Sequence, residues 1–166
     1  PSGRGPMIVS ASAMATARFL AKQRPNGTAF VIGEGGWYDY TFGMNGCTEE
    51  QFASGTFNDF TWPDKLYAHW PGRDSEETDR YIVKLETWLN QFREKNIIMV
   101  THVVPFSQFL LYKDDPSWDF FNAMMGSVRF GELALKYNVK KYIFGHIHTR
   151  YHEHYKGIEI ICNPLG

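Results

Sequence analysis

The chain has 166 residues, 43% of them hydrophobic and 21% charged, so one folded domain accounts for its length and the composition does not indicate disorder. Its formal net charge of -1 gives no electrostatic reason to expect a nucleic acid or an anionic membrane as a partner. Cys47 and Cys162 lie far apart and no apolar stretch reaches the length of a membrane span, so we expect a cytoplasmic protein without a disulfide framework.

The predicted elements begin with a short helix, Ala11–Gln23, inside an amino-terminal segment that we place at residues 1–27. The main domain, residues 28–166, opens with a buried strand from Thr28 to Gly33. From Trp37 to Trp70 the sequence shows neither the helical nor the strand period. A stretch of that length without regular structure predicts a functional loop or an insertion.

A long helix is predicted to begin at Asp74, whose side chain can cap the first turn with Glu77 three residues on, as in a capping box. Apolar residues follow at helical spacing, and Asn96 is the predicted stop. The apolar run Ile97–Thr101 is too short for a helix. It predicts an interior strand of a sheet that is covered on both faces.

The carboxyl-terminal third predicts one more helical region and three strands. The helical region covers Trp118–Tyr137 and is broken near Gly126 or Gly131. The strands, of which the last two form a hairpin, are Lys141–Phe144, Tyr151–Tyr155 and Ile158–Cys162. This alternation predicts an α/β fold with a mixed sheet that ends in a hairpin.

Three histidines come directly after predicted strands. His102 follows the apolar run, and His146 and His148 follow Phe144-Gly145. Because ligands bind at the carboxyl ends of strands in open α/β sheets, we expect these imidazoles at one edge. Neutral imidazole binds zinc, iron and manganese well. A histidine at a strand end is also often a hydrogen-bonded structural residue, so the sequence leaves both interpretations open.

Two other residues are candidates for contact with a substrate. Asp39 lies in the aromatic loop, where it faces the substrate or caps the loop. His69, between Tyr67 and Trp70, is predicted to enter the pocket from the long irregular stretch.

The segments around the histidines resemble known motifs. Val100-Thr101-His102-Val103-Val104-Pro105 and Gly145-His146-Ile147-His148 resemble the last two motifs of the calcineurin-like metallophosphoesterases. Asn163-Pro164-Leu165-Gly166 resembles the segment that follows the closing hairpin in that family. The resemblance spans roughly residues 28 to 166, in the order and spacing of the family.

The resemblance implies the carboxyl-terminal part of a four-layer α/β/β/α sandwich with a two-metal site. Two divalent ions, Mn, Fe or Zn, would lie about 3.5–4 Å apart. His102 and His146 would bind one ion and His148 the other. A water between the ions would attack phosphorus, so the implied activity is hydrolysis of a phosphoester, either a monoester or a diester.

The amino-terminal metal motifs of the family are not found in the sequence. No aspartate precedes Asp39 and no histidine precedes His69, so Asp-x-His, Gly-Asp-x-x-Asp and Gly-Asn-His are all missing. Three neutral imidazoles without a bridging carboxylate hold two divalent ions poorly. We therefore expect a truncated form that is incomplete as a catalyst. We also expect it to self-associate through an uncovered sheet edge.

Two alternatives remain open. In one, His102, His146 and His148 bind a single zinc ion with an open position for water. In the other, the domain is degenerate and non-catalytic, and its aromatic loops bind a partner.

Overall fold

A computed structural model describes residues 29–43, 47–68, 70 and 72–164. The helices within these residues are α1 (Glu49–Ser54), α2 (Asp64–Tyr67), α3 (Asp74–Gln91), α4 (Pro116–Asn122) and α5 (Val128–Lys136). The strands are β1 (Ala29–Gly33), β2 (Thr56–Phe57), β3 (Phe60–Thr61), β4 (Asn96–Val100), β5 (Lys141–Phe144), β6 (Tyr151–Tyr155) and β7 (Ile158–Cys162). The helix predicted at Ala11–Gln23 lies outside the described residues.

Five strands form one mixed sheet in the order β1-β4-β5-β7-β6. The first four run parallel to one another, and β6 pairs antiparallel with β7. This confirms the predicted mixed α/β fold and its terminal hairpin. Within the described residues the other sheet is the two-stranded β2–β3 hairpin, so the four-layer sandwich stays a prediction.

Both faces of the five-stranded sheet are apolar. Met99 of β4 and Tyr142 of β5 join the main core, which also contains Leu85 and Leu89 of α3. Burying a leucine side chain fully stabilises the fold by roughly 1.5–3 kcal/mol. The alternate residues of the same strands form a second cluster on the opposite face, composed of Val31, Ile98, Val100, Ile143 and Ile161. The continuous apolar runs of the sequence follow from this two-sided burial.

Helix α3 begins at Asp74 as predicted, but the predicted capping box is wrong. The residue before the helix is Arg73, which makes no side-chain cap, and the Asp74 carboxylate accepts hydrogen bonds from outside the helix. The buried Glu77 pairs instead with the exposed Arg80 of the same helix. The helix ends at Gln91, several residues before the predicted stop at Asn96, which instead begins β4.

The stretch from Trp37 to Trp70 is more structured than the sequence indicates. It contains α1, the β2–β3 hairpin and α2, each too short to show a period. Helix α1 starts with a capping box in which the Thr48 side chain and the Gln51 side chain bond to each other's backbone. The segment also packs through its aromatic residues, because Tyr38 and Phe52 form a buried cluster with Phe120 and Phe121.

The predicted break in the last helical region lies at Gly126, between α4 and α5. Gly126 forms a bridge to Val104, in the loop that follows β4. A Cβ atom at Gly126 would lie 2.2 Å from the Val104 carbonyl oxygen, so the close approach requires glycine.

Among the residues described, none of the helices has the length and apolar character required to cross a bilayer. The cytoplasmic location stays a prediction, as does the division of the chain at residues 27 and 28.

Candidate functional site

Two of the three predicted histidines meet at the edge of the sheet. His102 and His146 each lie two residues beyond a strand, and the strands β4 and β5 are adjacent and parallel. The His102 Nε2 and His146 Nδ1 atoms are 3.1 Å apart. The ring centroids are 4.9 Å apart, with the rings nearly perpendicular. The strand-end placement therefore brings these two imidazoles together in space.

Backbone hydrogen bonds fix the two loops that carry the imidazoles. The His102 N–H donates to the Gly35 carbonyl at 2.8 Å, and the Gly145 N–H donates to the His102 carbonyl at 2.9 Å. His146 has a φ of 67°, a left-handed conformation that non-glycine residues seldom adopt. The residue in the left-handed conformation is therefore His146 itself and not the glycine that precedes it. Strain of this kind is often found at functional sites.

His148 lies apart from this contact. Its side chain is exposed, and it acts on His146 through its charge, which is one of the weaker influences lowering the His146 pKa. Within the described part of the chain, no group of three or more His, Cys, Asp or Glu side chains is placed so that it could hold a metal ion. The role of the three histidines as metal ligands stays a prediction.

Both paired imidazoles are neutral near pH 7. Burial and, to a smaller extent, the nearby His102 lower the pKa of His146 to about 4, while Asp64 acts in the opposite direction. Burial also lowers the pKa of His102, again against the effect of Asp64. The neutral form has a free ring nitrogen and is the form that binds a metal or accepts a proton.

The other ring nitrogen of His146, Nε2, is buried and has no hydrogen-bond partner of normal geometry among the described residues. The neighbouring Met124 carbonyl raises the His146 pKa against the effect of burial. A buried polar atom without a full hydrogen bond costs free energy. Packing of the neighbouring rings therefore has to offset this cost and hold the imidazole in place.

The separation of the paired nitrogens is suitable for two ligands of one metal ion. With nitrogen–metal bonds of about 2.0–2.1 Å, donors at this spacing would subtend an angle of about 100° at the ion. The measured distance of 3.1 Å is equally that of a hydrogen bond between the rings. The pair thus fits two coordination positions, and the remaining positions of an ion would require other donors.

The imidazoles border a cavity of about 310 Å³. Its wall combines backbone, aromatic and polar groups, contributed by Gly35, Gly36, Trp37, Tyr38, Asp64, Trp70, Tyr81, His102, Val103 and His146. Trp62 packs beside it, with its ring centroid 6.2 Å from that of His146. The long irregular stretch of the sequence therefore forms part of the cavity wall, and its role as a functional loop stays a prediction.

Sequence reasoning missed Asp64, the acidic side chain of this cavity. No motif marks it, because it lies on the four-residue helix α2 inside the irregular stretch. The one available signal was the length of that stretch, which indicated function without indicating a residue.

Asp39 stabilises the loop that contains it. Its Oδ1 accepts from the Thr41 N–H and hydroxyl, and its Oδ2 accepts from the Ser127 hydroxyl at 2.8 Å. These bonds tie the loop to the start of α5 and agree with loop capping, and Asp39 is not among the cavity-lining residues. A substrate contact by Asp39 stays a prediction. His69, the other residue predicted to contact substrate, lies outside the described residues.

Comparisons with known proteins give a structural similarity and no sequence family. No family model matches the chain, and no curated protein matches it. A similar solved structure is that of the phosphopantetheinyl hydrolase from Mycobacterium tuberculosis, with a TM-score of 0.66 and 16% identity. The similarity covers 96% of this chain and 63% of that one, so this chain spans less than two thirds of the hydrolase. At this identity the comparison establishes a shared fold alone.

On these findings the resemblance to the calcineurin-like metallophosphoesterases is wrong as a family assignment. No family model supports it, and the similar structure is described as a phosphopantetheinyl hydrolase. The motifs around His102 and His146 are short, and they occupy strand ends where open α/β sheets of many families place polar residues. The spacing and order of these motifs along one edge of the sheet are therefore not specific to a single family.

Proposed function

We propose that this chain carries part of the site of a hydrolase that cleaves a phosphoester. The observation that supports it most is the contact of two neutral imidazole nitrogens, His102 Nε2 and His146 Nδ1, beside a cavity at the carboxyl ends of the strands. The shared fold adds support, since the similar solved structure is that of a phosphopantetheinyl hydrolase. A phosphoester with a pantetheine arm is therefore one substrate to test.

The proposed cofactors are divalent cations, two ions of Mn, Fe or Zn. Such ions neutralise the phosphoryl oxygens and lower the pKa of a bound water. In this proposal His102 and His146 occupy two positions of one ion. The described side chains do not group into a complete three-ligand site, so the chain by itself is expected to bind metal weakly.

The protein groups around the cavity have a separate role. The aromatic side chains of Trp37, Tyr38 and Trp70 line it beside the imidazole pair and make part of its wall apolar. Exclusion of water strengthens the electrostatic interactions inside a site. The chain's own contribution is then to hold the imidazoles neutral and oriented.

The test combines metal binding with hydrolysis. Zn²⁺ and Mn²⁺ binding are measured by calorimetry, and hydrolysis is measured with p-nitrophenyl phosphate, bis-p-nitrophenyl phosphate and a phosphopantetheinyl ester. We expect His102→Ala and His146→Asn to weaken metal binding and hydrolysis at least tenfold. The matched control is His154→Ala on the exposed strand β6, which should change neither.

Two results would contradict the proposal. In one, the His102→Ala and His146→Asn proteins retain the metal affinity of the unmodified chain. In the other, the chain neither binds metal nor hydrolyses any of the esters, a result that favours a non-catalytic partner-binding domain.

A single-metal site is the second candidate, favoured by the spacing of the paired nitrogens, which fits one ion. It predicts one Zn²⁺ per chain, with His148 as the third ligand. Loss of that ion in a His148→Ala protein would support it, and two ions per chain would exclude it.

A further inference from the structure

Two residues that line the cavity beside the imidazole pair have buried polar atoms without a partner. The Tyr38 hydroxyl and the Trp70 indole Nε1 are both buried, and neither makes a hydrogen bond to any described residue. Buried tyrosine and tryptophan side chains usually pair these groups, because an unpaired buried donor costs free energy. Two such donors on residues of one cavity wall indicate a ligand that supplies the acceptor.

The Tyr38 side chain is fixed by its neighbours and has no access to solvent. It is 1% exposed. Its ring stacks on that of Trp37, with ring centroids 4.7 Å apart, and its centroid lies 5.9 Å from that of Tyr40. Lys65 Nζ lies over the ring, 5.5 Å from its centroid. The hydroxyl is therefore held in one place, where bulk water cannot satisfy it.

The Tyr38 hydroxyl is a protonated donor that lies near the imidazole end of the cavity. Burial raises its pKa well above the usual value for tyrosine, and the charges of Asp74 and Asp64 raise it further. Asp64 lines the same cavity, and its charge also acts on His102 and His146. The hydroxyl and the two imidazoles are thus all within the influence of one carboxylate.

The charge of the wall favours an uncharged ligand group. Among the described residues that line the cavity, Asp64 alone is charged, and the others are glycine, valine, aromatic residues and the neutral histidines. A carboxylate without a cation on the same wall repels a phosphate group. An amide is neutral, and it combines a carbonyl acceptor for the hydroxyl with an N–H donor that the carboxylate attracts.

The cavity also has room for such a group. Its volume of about 310 Å³ lies within the range of small-molecule sites. At Gly35, on the wall, an added Cβ atom would have one neighbour within 4 Å, the Tyr81 hydroxyl at 4.0 Å. A side chain at this position would extend into open space beside Tyr81, so glycine keeps this part of the wall clear.

We propose that this cavity binds an amide group in the organic arm of the substrate, with the Tyr38 hydroxyl donating to the amide carbonyl oxygen. The phosphoester end of the substrate then lies toward His102 and His146. The inference rests on the proposed function, because it names the part of the phosphoester that enters the cavity. Binding of the amide itself requires neither hydrolysis nor a metal ion.

The first experiment measures binding of N-acetylethanolamine, a small amide without phosphate, to the nitrogen-15-labelled chain by NMR. Pentanol, of similar length and without an amide, is the comparison probe. We expect N-acetylethanolamine to shift the indole N–H signal of Trp70. Tyr38→Phe should weaken this binding about fivefold, the loss of one hydrogen bond, and change pentanol binding less than about twofold.

Two further variants accompany Tyr38→Phe. The matched control is Tyr67→Phe, which removes the same hydroxyl from a tyrosine that is 76% exposed and should leave both affinities unchanged. Gly35→Val adds a side chain beside Tyr81 and should weaken binding of both probes. Pentanol binding by Tyr38→Phe shows that this variant keeps its fold. If the Trp70 signal does not respond to N-acetylethanolamine, or if Tyr38→Phe and Tyr67→Phe bind it alike, the inference is wrong.

A second experiment separates this inference from the proposed function. It compares kcat/KM for N-acetyl-O-phosphoethanolamine and pentyl phosphate, and we expect a preference for the amide ester of about fivefold that Tyr38→Phe removes. Equal hydrolysis of both esters, unchanged in Tyr38→Phe, would overturn the inference and leave the proposed function standing. Amide binding that depends on Tyr38, with neither ester hydrolysed, would support the amide site and contradict the proposed function.

Discussion

At the scale of the residue, His146 combines three unfavourable features. Its backbone is left-handed, its Nε2 atom is buried without a normal hydrogen bond, and its ring is desolvated enough to lower its pKa to about 4. Each of these costs free energy. Packing of Trp62 against the ring and the bonded loop of Gly145 hold the residue there. The position of His146 therefore lowers the stability of the fold while it places the imidazole at the cavity.

The lowered pKa of His146 predicts a specific loss of stability in acid. The folded protein binds a proton at His146 only near pH 4, whereas the unfolded chain binds it near pH 6.5. The unfolded state therefore takes up the proton first as the pH falls. In a chelator, the unfolding free energy should decrease by up to about 3 kcal/mol between pH 7 and pH 4 from this residue.

Urea unfolding of the unmodified chain and of His146→Asn at several pH values measures this contribution. Asparagine tolerates the left-handed backbone, so the variant should fold and show a flatter pH dependence. His154→Asn serves as the control and should keep the original dependence. An identical pH dependence in His146→Asn would show that its burial does not affect proton binding.

At the scale of the element, the turn between α4 and α5 connects the core to the site. Gly126 lies against the Val104 backbone, and the Met124 carbonyl in the same turn lies beside His146. The Val104 N–H donates to the Met125 carbonyl at 2.9 Å. The loop after β4 and the turn before α5 are therefore one bonded unit, and the break in the helical region is a structural requirement.

Alanine substitutions at two glycines test this requirement. Gly126→Ala would place a Cβ atom 2.2 Å from a backbone oxygen, and we expect it to lower the unfolding free energy by roughly 3 kcal/mol or more. Gly157→Ala, in the hairpin turn, has a φ of 81° and no atom within 4 Å of the added Cβ. We expect Gly157→Ala to lower the unfolding free energy only by the cost of a left-handed alanine, about 1 kcal/mol. Thermal and denaturant unfolding compare the two, and equal effects would contradict the close approach at Gly126.

At the scale of the whole molecule, the two edge strands of the five-stranded sheet differ in character. Strand β6 presents exposed polar side chains at His152, Glu153 and His154. Strand β1 is apolar and, among the described residues, pairs with β4 alone. Apolar edge strands pair with other chains unless they are covered. Self-association of the chain through β1 therefore remains our prediction.

Sedimentation velocity at several concentrations tests self-association. Lysine in place of the exposed Ala29 at the β1 edge should shift the chain toward monomer, because a charge there opposes strand pairing. The control is Leu66→Lys, which adds the same charge at an exposed apolar residue of α2. If Leu66→Lys dissociates the chain and Ala29→Lys does not, the association uses the α2 surface and the edge prediction is wrong.

The sequence by itself determined the elements whose signals are local. The strands at Lys141–Phe144, Tyr151–Tyr155 and Ile158–Cys162 have the predicted bounds, and the helix that starts at Asp74 was predicted from its apolar stripe. These patterns arise because each element buries a fixed face, which its own residues record. The placement of His102 and His146 at strand ends follows from the same local signals, whereas the adjacency of their two strands is a property of the sheet order.

Only the tertiary structure decided which groups share the cavity. Asp64 lies at the cavity because its neighbours Trp62 and Lys65 contact residues that are distant in sequence. Asp74 does not cap its helix as predicted, because its carboxylate bonds with Trp37 and Lys65. Such pairings depend on how a long segment folds back onto the sheet, and no periodic pattern encodes that path. The family assignment was wrong for a related reason: short motifs record a local turn geometry that different families use alike.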